Sequence, residues 1–317
     1  MEILAFLPIL TVLGLLIYLT RSARAIGTKL SAQSSANTKK FREIESLIFA
    51  QGQSAKGRDQ LLYLPMLEKR GVDWKFVVSL TSHSKRFSTL AEVLHGLQSQ
   101  ILKPESIFLN IAHGDLASLP AEVKVLEASG FIKIVACDDL GPAKKLIPTL
   151  LTEKKLPIIT IDDDLDYEPE LFLQLMIGHY LFPKCVIAAR VHRVTEKDGV
   201  VENFANWEKH FDKSEGPRRD FLATSGAGTL FPQGALHPDS TNVELYTKLS
   251  QNTDDLWWYF QARRNGTLVR RLAGFDGLSF IDQTQEVGLW KTGNQERNEV
   301  NLKALVTTYG NPTLHTF

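Results

Sequence analysis

Beyond Val72 the chain repeats one pattern: a short β-branched or aliphatic run, a polar cluster, then a stretch of helical period. That is the syntax of an α/β domain. The apolar runs predict strands at Phe76–Leu80, Ser106–Ile111, Ile132–Ala136 and Pro157–Ile161. A helix is predicted from about Leu90 to Gln100, a second opened by Gly141-Pro142, and a third over Leu256–Arg264. The first, third and fourth strands end in ionisable clusters: Thr81-Ser82-His83-Ser84-Lys85-Arg86, Cys137-Asp138-Asp139 and Asp162-Asp163-Asp164. Open parallel sheets bind ligands at the carboxyl ends of their strands, so these clusters are expected to meet in one cleft. The plainer reading is that strand ends are polar because loops are polar.

The N-terminal segment follows another rule. Ile3 to Thr20 runs eighteen residues without a charge, enough to span a bilayer as a helix. Residues 1–20 are read as a transmembrane anchor; the competing reading is a cleaved signal peptide with Ser22-Ala23-Arg24-Ala25 as its site. Six basic residues and no acid lie between Arg21 and Arg42, which by the positive-inside rule holds the following domain in the cytoplasm, at a bacterial inner membrane. A eukaryotic Golgi type II protein has the reverse orientation, and Asn265-Gly266-Thr267 is then a glycosylation acceptor. Residues 21–71 are read as a stalk, flexible over Gly27–Lys40, with a short amphipathic helix at Phe41–Gln51. Residues 72–317 are the folded domain.

Composition narrows the partners. Thirty-six basic residues balance thirty-six acidic ones, so the chain lacks the global positive field of a nucleic-acid binder. Its 44% hydrophobic content suffices for a core, and two cysteines exclude a disulfide framework or a four-thiolate zinc site.

Three carboxylates in succession repel unless a cation sits among them, and carboxylate-only ligation suits Mg²⁺ or Mn²⁺. Extended-chain alternation would put Asp162 and Asp164 on one side and Asp163 on the other. A solvated acidic turn is the alternative. Gly141-Pro142-Ala143-Lys144-Lys145 reads as a helix start suited to phosphate, with Lys144 or Lys145 adding a cation. Ser225-Gly226-Ala227-Gly228-Thr229 permits close backbone approach and is not a P-loop. Asp254 and Asp255 favour a helix N-terminus or act chemically. Of Trp257, Trp258, Tyr259 and Phe260, most are expected in the core, since adjacent residues cannot share a helical face. A polar segment, Gly293 to Asn301, follows Trp290 and is read as a mobile loop.

The order TSHSKR, CDDLGPAKKL, IDDDLDY and TDDLWWYFQARRNG, from Phe76 to Gly266, resembles the GT-A fold glycosyltransferases, with the bacterial family 2 type as the nearest likeness. The resemblance implies a Rossmann-like, mostly parallel sheet flanked by helices, a nucleotide-sugar donor such as a UDP-sugar, and a glycan or glycolipid acceptor. It implies that Thr81, Ser82, Arg86, Asp138, Asp139, Lys144, Lys145, Asp163, Gly226 and Gly228 line the donor and that Asp162 and Asp164 hold the divalent cation. The base maps onto Asp255, the second member of a pair that is usually Glu-Asp and here is Asp254-Asp255. A later histidine, one of His192, His237 or His315, is the implied third ligand. A metal-dependent nucleotidyltransferase, which releases pyrophosphate, and an inactive anchored module that binds a nucleotide sugar or glycan are the rival readings.

Overall fold

The computed structural model describes residues 73–275, 277–281 and 294–314. The anchor, the stalk and its helix, Trp290, Gly293 and His315 lie outside the described residues, whereas Asn294 to Asn301, expected in a loop, are helical. Among the described residues no helix is long and apolar enough to cross a membrane.

Four parallel strands form one half of the main sheet: β1 (Val77–Thr81), β2 (Ser106–Ala112), β3 (Lys133–Cys137) and β4 (Ile158–Thr160). Helices α1 (Phe87–Gly96), α2 (Ala121–Ala128) and α3 (Ile147–Thr152) lie between them in sequence. A two-residue strand, β5 (Leu165–Asp166), precedes α4 (Leu171–Leu181). Then follow β6 (Val186–Ala188), β7 (Val191–Arg193), β8 (Glu196–Lys197), β9 (Val200–Val201), β10 (Phe221–Ala223) and β11 (Thr229–Phe231). Helices α5 (Val243–Ser250) and α6 (Asp254–Arg264), strands β12 (Val269–Arg271) and β13 (Ser279–Phe280), and helix α7 (Asn294–Tyr309) complete the described chain.

The main sheet has the order β12-β6-β11-β4-β1-β2-β3. β1 pairs in parallel with both β2 and β4, and β11 runs antiparallel between β4 and β6. This is a mixed, mostly parallel α/β sheet flanked by helices. Because β2 and β3 extend to one side of β1 and β4 to the other, a crevice opens at the carboxyl end of β1.

The predicted strands fall within a residue or so of those observed; β1, β2 and β4 are largely buried and read as apolar runs, while the edge strand β3 is exposed or half-buried throughout. The fourth ends early for a physical reason. Thr160 Oγ1 donates to Ser225 O, and Asp162 N donates to the Tyr167 hydroxyl (2.7 Å) instead of to a neighbouring strand. The acidic triplet therefore sits on a bend. Helix α1 begins before the predicted Leu90 and closes in a 3-10 turn at Leu97–Ser99.

All four aromatics of α6 are buried. Trp257 meets Tyr246 of α5 edge-on, Trp258 meets Phe231 of β11, and Phe260 lies beside Tyr309 of α7. A helix surrounded on several sides needs apolar side chains around most of its circumference. These rings fasten α6, and with it Asp254 and Asp255, to the core.

Candidate active site

Lys145 is the first fixed point. Ser79 of β1 donates to the Lys145 carbonyl (2.6 Å) and lies 2.6 Å from Thr149 Oγ1, while Asn110 of β2 donates to both hydroxyls. This buried network locks the 3-10 turn Gly141–Lys145 under the sheet edge. The Lys145 side chain is buried as well; it forms an ion pair with Asp162, lies 3.7 Å from Asp254 and donates to Ser225 Oγ (3.2 Å). Burial opposes its charge, but Asp162, Asp254 and Asp255 outweigh that and hold its pKa above the ordinary lysine value.

Arg86 is the second. Its Nη1 lies 2.7 Å from Asp163 Oδ1 and 3.0 Å from Asp164 Oδ2. On the bend, Asp163 and Asp164 share one guanidinium and Asp162 turns to Lys145, which replaces the alternation expected of an extended chain. Burial, then the charge of Asp162, push the Asp164 carboxyl up to about 6 against the pull of Arg86.

The donor set suits a hard cation. Asp162, Asp163, Asp164, Asp254 and Asp255 face Arg86, Lys145 and Arg190, five carboxylates against three cations when all are ionised. A divalent ion would balance the surplus. Among the described residues no group of three or more His, Cys, Asp or Glu is arranged as ready-made ligands. Asp162 and Asp164 would therefore supply two oxygens, with water and substrate phosphate completing the shell, the usual habit of Mg²⁺. His192 and His237 have other tasks: His192 Nδ1 accepts from His210 N, and His237 Nδ1 caps the turn at Asp239.

Gly226 lets Asp162 sit where it does. A Cβ there would lie 1.6 Å from Asp162 Oδ2. The Tyr167 hydroxyl fastens the approach, accepting from Asp162 N and donating to Gly226 O (2.6 Å). Gly228 (φ 102°) faces Leu171 of α4, where a Cβ would come within 2.9 Å of Cδ2. Within the chain, the glycine stretch approaches Asp162 and Leu171 closely.

Asp254 and Asp255 open α6 and reach back to Ser225. Asp255 Oδ1 accepts from Ser225 N (2.8 Å) and lies 2.6 Å from Ser225 Oγ, while Asp254 Oδ2 is 3.2 Å from that oxygen. Burial, then Asp254's charge, push the Asp255 carboxyl up to about 6, against Lys145 and the Ser225 hydrogen bonds. Such a carboxylate is ionised at neutral pH yet basic enough to take a proton.

Other predicted residues divide. Ser82 Oγ, Arg86 Nε and Asp163 Oδ2 are buried without a hydrogen-bond partner among the described residues. Three orphaned polar atoms after the adjacent strands β1 and β4 fit a polar ligand. Thr81 donates to Asn110 O (2.7 Å) and so serves the β1–β2 edge. Lys144 is buried and paired with Asp139, which also accepts from Gly141 N. Asp138 is exposed at the end of β3. Sequence reasoning missed Ser225, Tyr167 and Arg190. Nothing local marks them, since each acts through a contact between distant segments.

No family model and no curated protein matches the chain. Solved structures similar to it include the inositol-1-phosphate CTP transferase from T. maritima, at 13% identity and TM-score 0.40, covering 72% of this chain and 97% of that one. A second is 4-diphosphocytidyl-2C-methyl-D-erythritol synthase from Anaerococcus prevotii, at 14% identity and TM-score 0.43, covering 68% and 94%. A third is S. aureus TarS 1–349, at 14% identity and TM-score 0.42, covering 65% and 59%. At such identities and TM-scores these likenesses identify no family for the chain.

Proposed function

We propose that the chain is a metal-dependent glycosyltransferase that moves a sugar from a nucleotide-sugar donor to an acceptor hydroxyl. The observation that carries this reading is the continuous chain of contacts from Asp162 through Lys145 and Ser225 to Asp255, which joins the acidic bend after β4 to the carboxylate pair of α6. One end suits a cation and a diphosphate; the other holds a base. Asp162 and Asp164 would hold Mn²⁺ or Mg²⁺, which when bound supplies neutralisation of charge on the departing nucleoside diphosphate. Arg86 and Lys145 would add donors for the same oxygens.

Asp255 Oδ1 is committed to Ser225, leaving Oδ2 to accept the acceptor's hydroxyl proton. The bond from acceptor oxygen to anomeric carbon forms as the bond from that carbon to the diphosphate oxygen breaks. Asp254, tied to Lys145 and Ser225, is assigned a positioning role. Membrane anchorage and cytoplasmic placement of the domain remain part of the proposal, carried by the N-terminal sequence alone.

The test is thermal stability with a panel of nucleotide sugars, each with Mg²⁺ and with chelator. Metal-dependent stabilisation by one nucleotide sugar is expected. Stabilisation by a nucleoside triphosphate alone would favour the nucleotidyltransferase reading.

A further inference from the structure

The side of the site beyond Ser225 carries two cations, Arg190 and Lys209, that form no ion pair among the described residues. Arg190 accepts from Thr224 N (3.1 Å) through its carbonyl and donates from Nε to Thr224 Oγ1 (3.0 Å). The next residue, Ser225, anchors Asp255, so Arg190 is fastened one residue from the base's own support. It forms no ion pair among the described residues, although Asp255 and Asp162 lie near enough to act on it.

A second group continues the strip. Buried His192 accepts from His210 N (3.1 Å), and the two imidazoles stand edge-on with centroids 5.4 Å apart. Lys209 holds its ammonium 3.2 Å from the Phe204 ring centroid and 5.5 Å from that of Trp207, donating to Phe204 O (2.6 Å). Two of its three N–H donors have no hydrogen-bond partner among the described residues. The nearby acids are engaged: Glu208 pairs with Arg193 and Lys213, and Glu299 of α7, which acts on Lys209, accepts from Ala205 N. Burial, then Arg190 and Lys209, depress His210; burial, Arg190, Lys209 and His210 push His192 down to about 3. Arg190 and Lys209 thus oppose protonation of the two imidazoles beside them, and an anion bound among these groups would relieve the repulsion between the two charges.

We propose that Arg190, Lys209 and His210 form a subsite for a phosphate or carboxylate carried by the acceptor, adjacent to the hydroxyl that Asp255 deprotonates. This rests on the glycosyltransferase reading and specifies its acceptor: an anionic one. The donor's diphosphate is assigned its own cations, Arg86 and Lys145, at the acidic bend after β4. Phe204 and Trp207 fix the lysine, which limits the rotamer freedom it would lose on binding.

The probe is inorganic phosphate, titrated into the full chain at constant ionic strength while the ¹³C-labelled imidazole resonances are followed. Signals are assigned with His210→Gln. A saturable shift of His210 is expected, weakened at least about tenfold in Arg190→Gln and Lys209→Gln, the scale of one charge-assisted hydrogen bond. If Arg190→Gln does not fold, Lys209→Gln, partly exposed, carries the comparison. Saturating nucleoside diphosphate with Mg²⁺ should leave the phosphate affinity unchanged. Competition would assign the cations to the donor and overturn the proposal, as would an unsaturable shift or equal affinity in the variants. A chain that binds Mg²⁺ and nucleotide but not phosphate loses this subsite and keeps the glycosyltransferase reading; one that binds neither loses both.

Discussion

Asp162 occupies the space that any side chain at Gly226 would need: a Cβ there would stand 1.6 Å from the Asp162 carboxylate. Gly226→Ala must therefore displace Asp162 from Lys145. An overpacked position costs about 1–3 kcal/mol. The expected outcome is a lower Tm together with loss of the metal-dependent stabilisation by nucleotide. An unchanged response to metal and nucleotide in Gly226→Ala would show that the position of Asp162 is immaterial to binding.

Arg86 is the shared counter-ion of Asp163 and Asp164, whose side chains are 6% and 10% exposed. Removing one partner of a buried ion pair costs about 3–5 kcal/mol, because the remaining charge stays buried. Arg86→Gln should lose stability on that scale. Mg²⁺ should then raise its Tm more than it raises that of the wild type, since the cation replaces the missing charge. Equal Mg²⁺ responses in the two proteins would argue against a cation at the triplet.

Asp255 carries a pH signature. Its folded pKa is raised from the ordinary 3.8 to about 6, so the folded state binds this proton more tightly than the unfolded chain does. Its contribution to stability is fully present below pH 4 and is lost as pH rises through about 6. Asp255→Asn, permanently neutral, should consequently melt higher than wild type at pH 7.5, with the difference vanishing near pH 4. A carboxylate that merely favours a helix N-terminus predicts the opposite sign at pH 7.5. Melting curves at the two pH values decide between them.

Much of the fold could be read from the chain. The runs at Val77–Thr81 and Ser106–Ala112 are central parallel strands, and buried strands show themselves as unbroken apolar stretches. Strand β4 is only three residues long but is marked by the acidic triplet after its apolar run, whereas the equally short β6, β11 and β12 carry no such triplet. At the site, residue types revealed the chemistry but not the partners. The triplet and the Asp254-Asp255 pair stand out as like-charge clusters. Their connection through Ser225 Oγ and Lys145 Nζ joins segments eighty residues apart in sequence, and no local spacing encodes it. The alternation rule failed at Asp163 because Tyr167 draws Asp162 N away from the sheet and bends the chain.

Ser225 tests that connection from its centre. Ser225→Ala keeps the backbone donor to Asp255 but removes the hydroxyl that Asp255, Asp254 and Lys145 share. Losing a hydrogen bond that lowers the Asp255 pKa should move the acid limb of the pH–rate profile upward. An unshifted limb would show that Asp255 does not set it.

The most direct measurement of the central claim is the product formed from a nucleotide sugar by the full chain with Mn²⁺. The account predicts release of nucleoside diphosphate with transfer of the sugar, abolished by chelator and lowered by about 10²–10⁴ in Asp255→Asn while that variant still binds nucleotide. Release of pyrophosphate from a nucleoside triphosphate and a sugar phosphate, or undiminished sugar transfer by Asp255→Asn, would contradict it.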